Sequence, residues 1–104
     1  MRAVDDDSFE RDVLQAAGPV VVDFRAPGCG PCDRVDAVLQ ELERDHDAVS
    51  FVQLDIDASP RTPARFGVLS IPHVILFEGG EPRAEVIGAH PRRRYENVWA
   101  GWLA

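Results

Sequence analysis

The chain contains only two cysteines, Cys29 and Cys32, and they follow closely on a run of apolar residues. That run, residues 20–24, is nearly continuous and rich in β-branched side chains, which is typical of a strand buried on both faces of a sheet. The residues after the cysteines predict a helix over about 32–44, because their apolar side chains recur at helical spacing. These side chains are Val35, Val38, Leu39 and Leu42. The two thiols therefore lie at a strand-to-helix junction, where they can close a small disulfide ring and open it again.

The rest of the chain alternates between strand-like and helix-like patterns. We expect further strands over residues 50–56, 72–77 and 84–87. Four further elements complete the pattern: a first helix capped by Asp7, a short helical turn over 59–66, a hairpin turn at Gly79-Gly80, and a last helix that begins near Pro91. Helices between the early strands imply parallel pairing with right-handed crossovers, whereas the last two strands form an antiparallel pair. The order predicts an α/β fold with a mixed central sheet and helices on both faces.

A chain of 104 residues, 45% of them hydrophobic, suits one domain that spans residues 1–104. The formal net charge of −7 should repel nucleic acids and anionic membranes, so we expect neither as a partner. No apolar run approaches transmembrane length, and the first residues lack the apolar stretch of a signal peptide. We therefore expect a cytoplasmic protein, and in that compartment thiols stay reduced unless they are catalytic.

The close spacing of Cys29 and Cys32 argues against a disulfide that serves stability alone, because the stabilisation grows with the length of the closed loop. Half of a zinc site is an alternative, although His46, His73 and His90 do not have the spacing of a zinc finger. A thiolate rather than a thiol attacks a disulfide, so one cysteine must ionise near neutral pH. Cys29 precedes the predicted helix, whose N-terminal dipole favours negative charge. We therefore predict that Cys29 is the nucleophile and Cys32 the resolving thiol.

A lone C-x-x-C motif is a weak signal, because it also occurs in zinc sites. The sequence Cys-Gly-Pro-Cys between a buried strand and a helix, with Ser70-Ile71-Pro72 about forty residues later, is a strong one. On these motifs the chain resembles the thioredoxin family over nearly its whole length. Further matching segments are residues 6–9, 21–24, 54–57, 66–68, 76–77, 79–80 and 86–88. The resemblance implies a three-layer α/β/α thioredoxin fold around a mixed sheet of about four to five strands.

The resemblance implies a protein disulfide reductase that acts by thiol–disulfide exchange through a reversible Cys29–Cys32 disulfide, with Gly30 and Pro31 completing the motif. Asp23 would lie behind the cysteines and accept the proton of Cys32. Because Asp23 lies in a buried strand, its pKa should be raised, and a simple hydrogen bond at a strand end is the alternative. A thioredoxin reductase would return electrons from NADPH, and disulfide-containing client proteins would be the other partners. No bound cofactor and no metal are implied, and we expect a monomer.

The resemblance also implies a substrate groove beside the cysteines. Pro72 would follow a cis peptide bond and face the cysteines, which leaves the preceding backbone free to pair with an extended substrate strand. Gly28, Ile71 and Gly88 would flank that groove. A glycine that merely ends a strand is the alternative for Gly88.

The chain departs from the family pattern at positions close to the predicted site. The departures are Arg25 for an aromatic residue, Gly28 for tryptophan, Ala37 for a helix-kinking proline, Gln53 for lysine and His73 for threonine. We hypothesise that Arg25 pairs with Asp57 and assists the Cys29 thiolate, with a solvated Arg25 as the alternative. His73 could titrate beside the disulfide, although a hydrogen-bonded structural histidine is more common. Gln53 removes a cation near Asp23, which would let the pKa of Asp23 rise further.

Two other functions fit the same residues. The altered rim at Arg25 and Gly28 suits a specialised oxidoreductase with an oxidase or isomerase bias. A domain of this fold could also scaffold a partner without redox cycling, but the two cysteines and Asp23 argue against that role.

Overall fold

Five strands form one mixed sheet in the computed structural model, which describes residues 1–104. They are β1 (Arg2–Val4), β2 (Val20–Arg25), β3 (Ser50–Asp55), β4 (His73–Glu78) and β5 (Glu81–Ile87). Their order in the sheet is β1-β3-β2-β4-β5. Both β1 and β2 run parallel to β3, whereas β4 runs antiparallel to β2 and to β5. The prediction of an α/β fold with a mixed central sheet is confirmed.

The helical segments are a π-helical segment (Glu10–Leu14), α1 (Gly30–Asp45), α2 (Arg61–Arg65), α3 (Arg92–Val98) and α4 (Ala100–Leu103). The helix α1 begins at Gly30, earlier than the predicted start at Cys32, so the first turn contains both residues between the cysteines. Pro31 suits that turn, because an N–H at this position would have no partner inside the helix. The cysteines are thus fixed to the rigid first turn of the longest helix.

The first helical segment is anchored by Asp5 rather than by Asp7. The Oδ1 atom of Asp5 accepts hydrogen bonds from the backbone N–H groups of Asp7, at 2.9 Å, and Ser8, at 2.8 Å. The prediction that Asp7 caps this helix is therefore wrong. The acidic side chain instead closes the turn before the helix, as Asp side chains commonly do.

Two hydrophobic clusters lie on the two faces of the sheet. The first contains Val21 and Val74 with the buried sides of α1, α3 and α4, and the second contains Phe24 and Ile75 with the π-helical segment. Side chains along a strand alternate between the faces of a sheet, so Asp23 shares the face of Val21 and points toward α1. The fold therefore places a carboxyl group on the apolar face that the cysteine-bearing helix covers.

Candidate active site

Cys29 and Cys32 form a disulfide at the N-terminus of α1, with their Cα atoms 5.2 Å apart. Cys29 is the N-cap residue of the helix, and its Sγ atom accepts a hydrogen bond from the backbone N–H of Cys32 at 3.2 Å. Cys29 is half-buried, whereas Cys32 is completely buried. The two sulfurs are therefore unequal. A reaction partner can reach Cys29, and the helix N-terminus favours negative charge on the Sγ atom of Cys29.

Asp23 of β2 is completely buried, and neither of its carboxyl oxygens has a hydrogen-bond partner. It lies opposite Gln53 of β3 and Val74 of β4, so its cross-strand neighbours carry no charge. Burial raises the pKa of Asp23 to about 9, and the neighbouring carboxyl group of Asp36 acts in the same direction, while the charge of Arg25 opposes the rise. Asp23 therefore holds a proton at neutral pH.

Arg25, the last residue of β2, binds two carboxylates of α1. Its Nε atom donates to Oδ2 of Asp36 at 2.8 Å, and its Nη2 atom donates to Oδ1 of Asp33 at 3.0 Å. The hypothesis of an Arg25–Asp57 ion pair is wrong. The β2–β3 register places Arg25 opposite Asp55, and Asp57 is exposed in the following turn, where its backbone N–H donates to Asp55 at 2.9 Å. Two carboxylates on the helix therefore neutralise the guanidinium group.

A backbone edge in the segment before β4 lies at the end of the sheet where β2 leads into the cysteine pair, because His73 at the start of β4 pairs with Phe24. The Ile71–Pro72 peptide bond is cis, which is the geometry that the family resemblance implies. The carbonyl oxygen of Pro72 accepts a hydrogen bond from the backbone N–H of Gly88 at 2.8 Å, so the structure brings these two residues together. Gly88 has a φ of +87° and Gly28 a φ of +75°, both in the left-handed region that favours glycine. Ile71 precedes β4, and its own backbone N–H and C=O make no hydrogen bonds to other backbone groups.

His73 is buried in β4, on the face of the sheet opposite to Asp23. It lies opposite Phe24 in the β2–β4 register, and the two ring centroids are 6.4 Å apart. Its Nε2 atom lies 3.0 Å from Oε2 of Glu85 on β5. His73 thus has a side-chain partner within the sheet, which is the contact that the structural alternative for His73 expects.

Sequence reasoning did not identify Asp36 as part of the site. Asp36 stands four residues after Cys32, one helical turn away, and it interrupts the apolar face of α1. This spacing is visible in the sequence. Whether Asp36 faces Asp23 and Arg25 depends on how α1 packs against β2, which the sequence pattern does not show.

Leu69 and Ile87 were also missed, and they are the two large hydrophobic side chains that the structure leaves exposed. Leu69 is 96% exposed and Ile87 is 53% exposed. Leu69 lies two residues before Ile71, and Ile87 lies immediately before Gly88. Both are therefore close in the chain to Ile71 and Gly88, two of the residues predicted to flank the substrate groove. No local sequence signal distinguishes an exposed leucine of this kind from a core leucine.

The structure contains no group of three or more His, Cys, Asp or Glu side chains arranged to hold a metal ion. Two of the histidines contact backbone carbonyl groups instead. Nδ1 of His46 lies 3.2 Å from the carbonyl oxygen of Leu103, and Nε2 of His90 lies 2.8 Å from that of Ile87. None of the helices combines the length and the apolarity that crossing a membrane requires.

Three features define a dithiol–disulfide domain of the C-x-x-C class: a disulfide at the start of a helix, a cis-proline before the strand that pairs with β2, and a buried carboxyl group on β2. The family model described as thioredoxin matches residues 1–99. The chain belongs to the thioredoxin family.

Named relatives extend the comparison to bacteria and plants. The chain is 47% identical over 90 residues to a thioredoxin of Mycolicibacterium smegmatis, covering 84% of this chain and 80% of the relative. It is 43% identical over 95 residues to a thioredoxin of Rhodospirillum rubrum, covering 90% and 91%. It is 43% identical over 93 residues to the chloroplastic thioredoxin M2 of Arabidopsis thaliana, covering 88% of this chain and 50% of the relative. The chain thus spans about half the length of the plant relative and most of the length of the bacterial ones.

Proposed function

We propose that the protein is a disulfide reductase of the thioredoxin type, which transfers two electrons from the Cys29–Cys32 dithiol to a disulfide of a client protein. The observation that carries this proposal is the disulfide at the start of α1, with one residue accessible and the other completely buried. Membership of the thioredoxin family supports the same chemistry.

The reaction consists of two exchange steps. The Cys29 thiolate attacks one sulfur of the client disulfide, forms a mixed disulfide, and releases the other client sulfur as a thiolate. Cys32 then loses its proton and attacks Sγ of Cys29, which closes the Cys29–Cys32 disulfide and releases the second client thiolate. The client gains two electrons and the dithiol loses two. Because Cys32 is buried in the first turn, its accessible target is the neighbouring Cys29.

Asp23 is the group that we assign to the Cys32 proton. Its pKa of about 9 is close to that of an ordinary thiol, about 8.5. A donor and an acceptor with matched proton affinities can exchange a proton in either direction at little cost. That match suits a dithiol that must be oxidised by clients and then reduced again.

The backbone edge and its two exposed side chains suit an extended client segment. The free N–H and C=O of Ile71 can pair with such a segment as an added strand would. Leu69 and Ile87 are exposed near Ile71 and Gly88 in the chain, and they would supply apolar contact area. Gly28, with no side chain, leaves the approach to Cys29 open.

Insulin reduction with dithiothreitol as the electron donor tests the proposal. We expect the wild-type protein to accelerate precipitation of the reduced chain and Cys29→Ser to have no effect. Cys32→Ser should accumulate a covalent adduct with the client, visible on a non-reducing gel, because the second exchange step is blocked. A wild-type rate equal to that of dithiothreitol alone would refute the proposal.

The oxidase or isomerase alternative differs in redox potential rather than in chemistry. Equilibration of the Cys29–Cys32 pair against a glutathione series measures that potential. A strongly oxidising value would favour the alternative, and tight partner binding without turnover would favour a scaffold.

We also propose that a thioredoxin reductase supplies electrons from NADPH, that residues 1–104 act as one monomeric domain, and that the protein works in the cytoplasm. The absence of any cysteine outside the C-x-x-C pair supports a reducing compartment. Replacing dithiothreitol with NADPH and a reductase in the same assay tests the first point. Size-exclusion chromatography with light scattering and cell fractionation test the others.

A further inference from the structure

A second carboxyl group faces Asp23 from the helix. Asp36 lies one turn after Cys32 on α1, and Asp23 and Arg25 are alternate residues of β2 that point to the same face of the sheet. The 2.8 Å bond from Nε of Arg25 to Oδ2 of Asp36 fixes this part of the helix against the strand. The acidic side chain of Asp36 is therefore held beside that of Asp23, on the side of the helix that carries Cys32.

Three carboxyl oxygens at this contact are buried without a hydrogen-bond partner: both oxygens of Asp23 and Oδ1 of Asp36. Buried polar atoms are normally hydrogen-bonded, so such a cluster requires an explanation. Two facing carboxylates cannot bond to each other, because both are acceptors. A single proton between them supplies the missing donor and leaves one short O–H···O⁻ bond in place of a repulsion.

The other groups around Asp23 do not supply that donor. Gln53 lies opposite Asp23 on β3, but it makes no hydrogen bond to either oxygen of Asp23. Tyr95 of α3 donates its hydroxyl hydrogen to the carbonyl oxygen of Gly88 at 3.3 Å instead. Arg25 is engaged by Asp36 and by Asp33, whose side chain is 70% exposed. Asp33 therefore shares the guanidinium group but lies at the surface, away from the buried contact.

We propose that Asp23 and Asp36 share one proton and form a two-carboxyl relay, in which Asp36 is the outlet that frees Asp23 to accept the proton of Cys32. This inference rests on the proposed function of the dithiol. Asp23 is completely buried and already protonated, so its own proton must leave before it can take another. The side chain of Asp36 is 15% exposed, so Asp36 lies nearer to solvent than the completely buried Asp23, although its Oδ1 atom is itself buried.

The proton of Asp23 moves to Oδ1 of Asp36, the Cys32 thiol gives its proton to Asp23, and Asp36 releases a proton to solvent. The net change is one thiolate formed and one proton delivered to water, and Arg25 keeps Oδ2 of Asp36 in place throughout. No hydrogen bond joins Asp36 to either sulfur, so it is a positioning residue that acts through Asp23.

The direct test follows the carboxyl carbon of Asp23 by NMR through a pH titration of the oxidised protein. Asp36→Asn removes the like charge, and we expect the titration midpoint of Asp23 to fall by roughly one pH unit or more. Asp33→Asn is the matched control, since it also removes a partner of Arg25, and it should leave the midpoint nearly unchanged. An unmoved midpoint in Asp36→Asn, or equal shifts in the two variants, would overturn the proposal.

The wild-type protein provides a test that does not depend on the variants folding. A shared proton makes the carboxyl carbons of Asp23 and Asp36 respond at the same pH. A carbon signal of Asp36 that stays flat while Asp23 titrates contradicts the relay.

Kinetics separate the relay from the proposed function. In the insulin assay at neutral pH we expect Asp36→Asn to lower kcat roughly tenfold with little change in KM, and Asp36→Glu to recover part of the loss. If the wild-type protein fails to reduce insulin, the proposed function is wrong. The NMR titration then still tests whether Asp23 and Asp36 share a proton. If the wild-type protein is active and Asp36→Asn matches it in kcat across the pH range, the relay alone is wrong.

Discussion

Asp23→Asn is expected to stabilise the folded protein, by an amount that grows with pH. Burial raises the pKa of Asp23 to about 9 in the native state, whereas in the unfolded chain the carboxyl group has its ordinary value of about 3.9. Between these values the native state holds one proton more than the unfolded state, so the free energy of unfolding falls as the pH rises. The contribution is fully present below about pH 3.9 and is lost as the pH rises through about 9.

The size of the effect follows from the same linkage. One proton corresponds to about 1.4 kcal/mol per pH unit, and roughly three units separate 3.9 from neutrality. The wild-type protein should therefore lose about 2–4 kcal/mol of stability from this group by pH 7, with the lower figure allowing for relaxation around the buried site. Asparagine has nearly the same shape and cannot ionise, and its side-chain N–H can donate to the free oxygen of Asp36.

Urea unfolding of the oxidised proteins, followed by the fluorescence of the buried Trp99, measures the difference. The gap between Asp23→Asn and the wild type should widen by about 1 kcal/mol per unit from roughly pH 5 to pH 8. Asp57→Asn, which also removes one carboxylate but at an exposed position, is the matched control. Parallel stability curves for Asp23→Asn and the wild type would refute a proton held by the native state.

Three further substitutions test other parts of the structure. Leu39→Ala empties a completely buried position of α1 and should lower the free energy of unfolding by about 2–5 kcal/mol, whereas the exposed Gln40→Ala should change it little. Gly88→Ala places a side chain at a φ of +87° and should cost about 1–2 kcal/mol in denaturant melts, in contrast to Gly101→Ala in α4. Leu69→Ser should raise KM for insulin but leave the reduction of a small aromatic disulfide unchanged; equal effects on both substrates would exclude Leu69 from client contact.

The family resemblance and the local pattern predicted the parts of the protein that depend on neighbouring residues. A nearly continuous apolar run indicated the buried strand before Cys29, and apolar residues at helical spacing indicated the helix after it, because both patterns are properties of short segments. The same strand placed a carboxyl group where burial would raise its pKa. The errors were at Asp7, where Asp5 competes for the same turn, and at Arg25, whose partner was taken from the next strand.

The amino-acid sequence by itself determined the α/β order of elements, the position of the dithiol at a helix start and the burial of an acid in the strand before it. Only the tertiary structure decided which side chains meet. A long arginine can reach any of several acids, and the packing of α1 on β2 selects Asp33 and Asp36 over Asp57. The register of β2 with β4 likewise turns His73 away from Asp23. Such contacts join residues far apart in the chain, and they depend on relative orientations that no local pattern specifies.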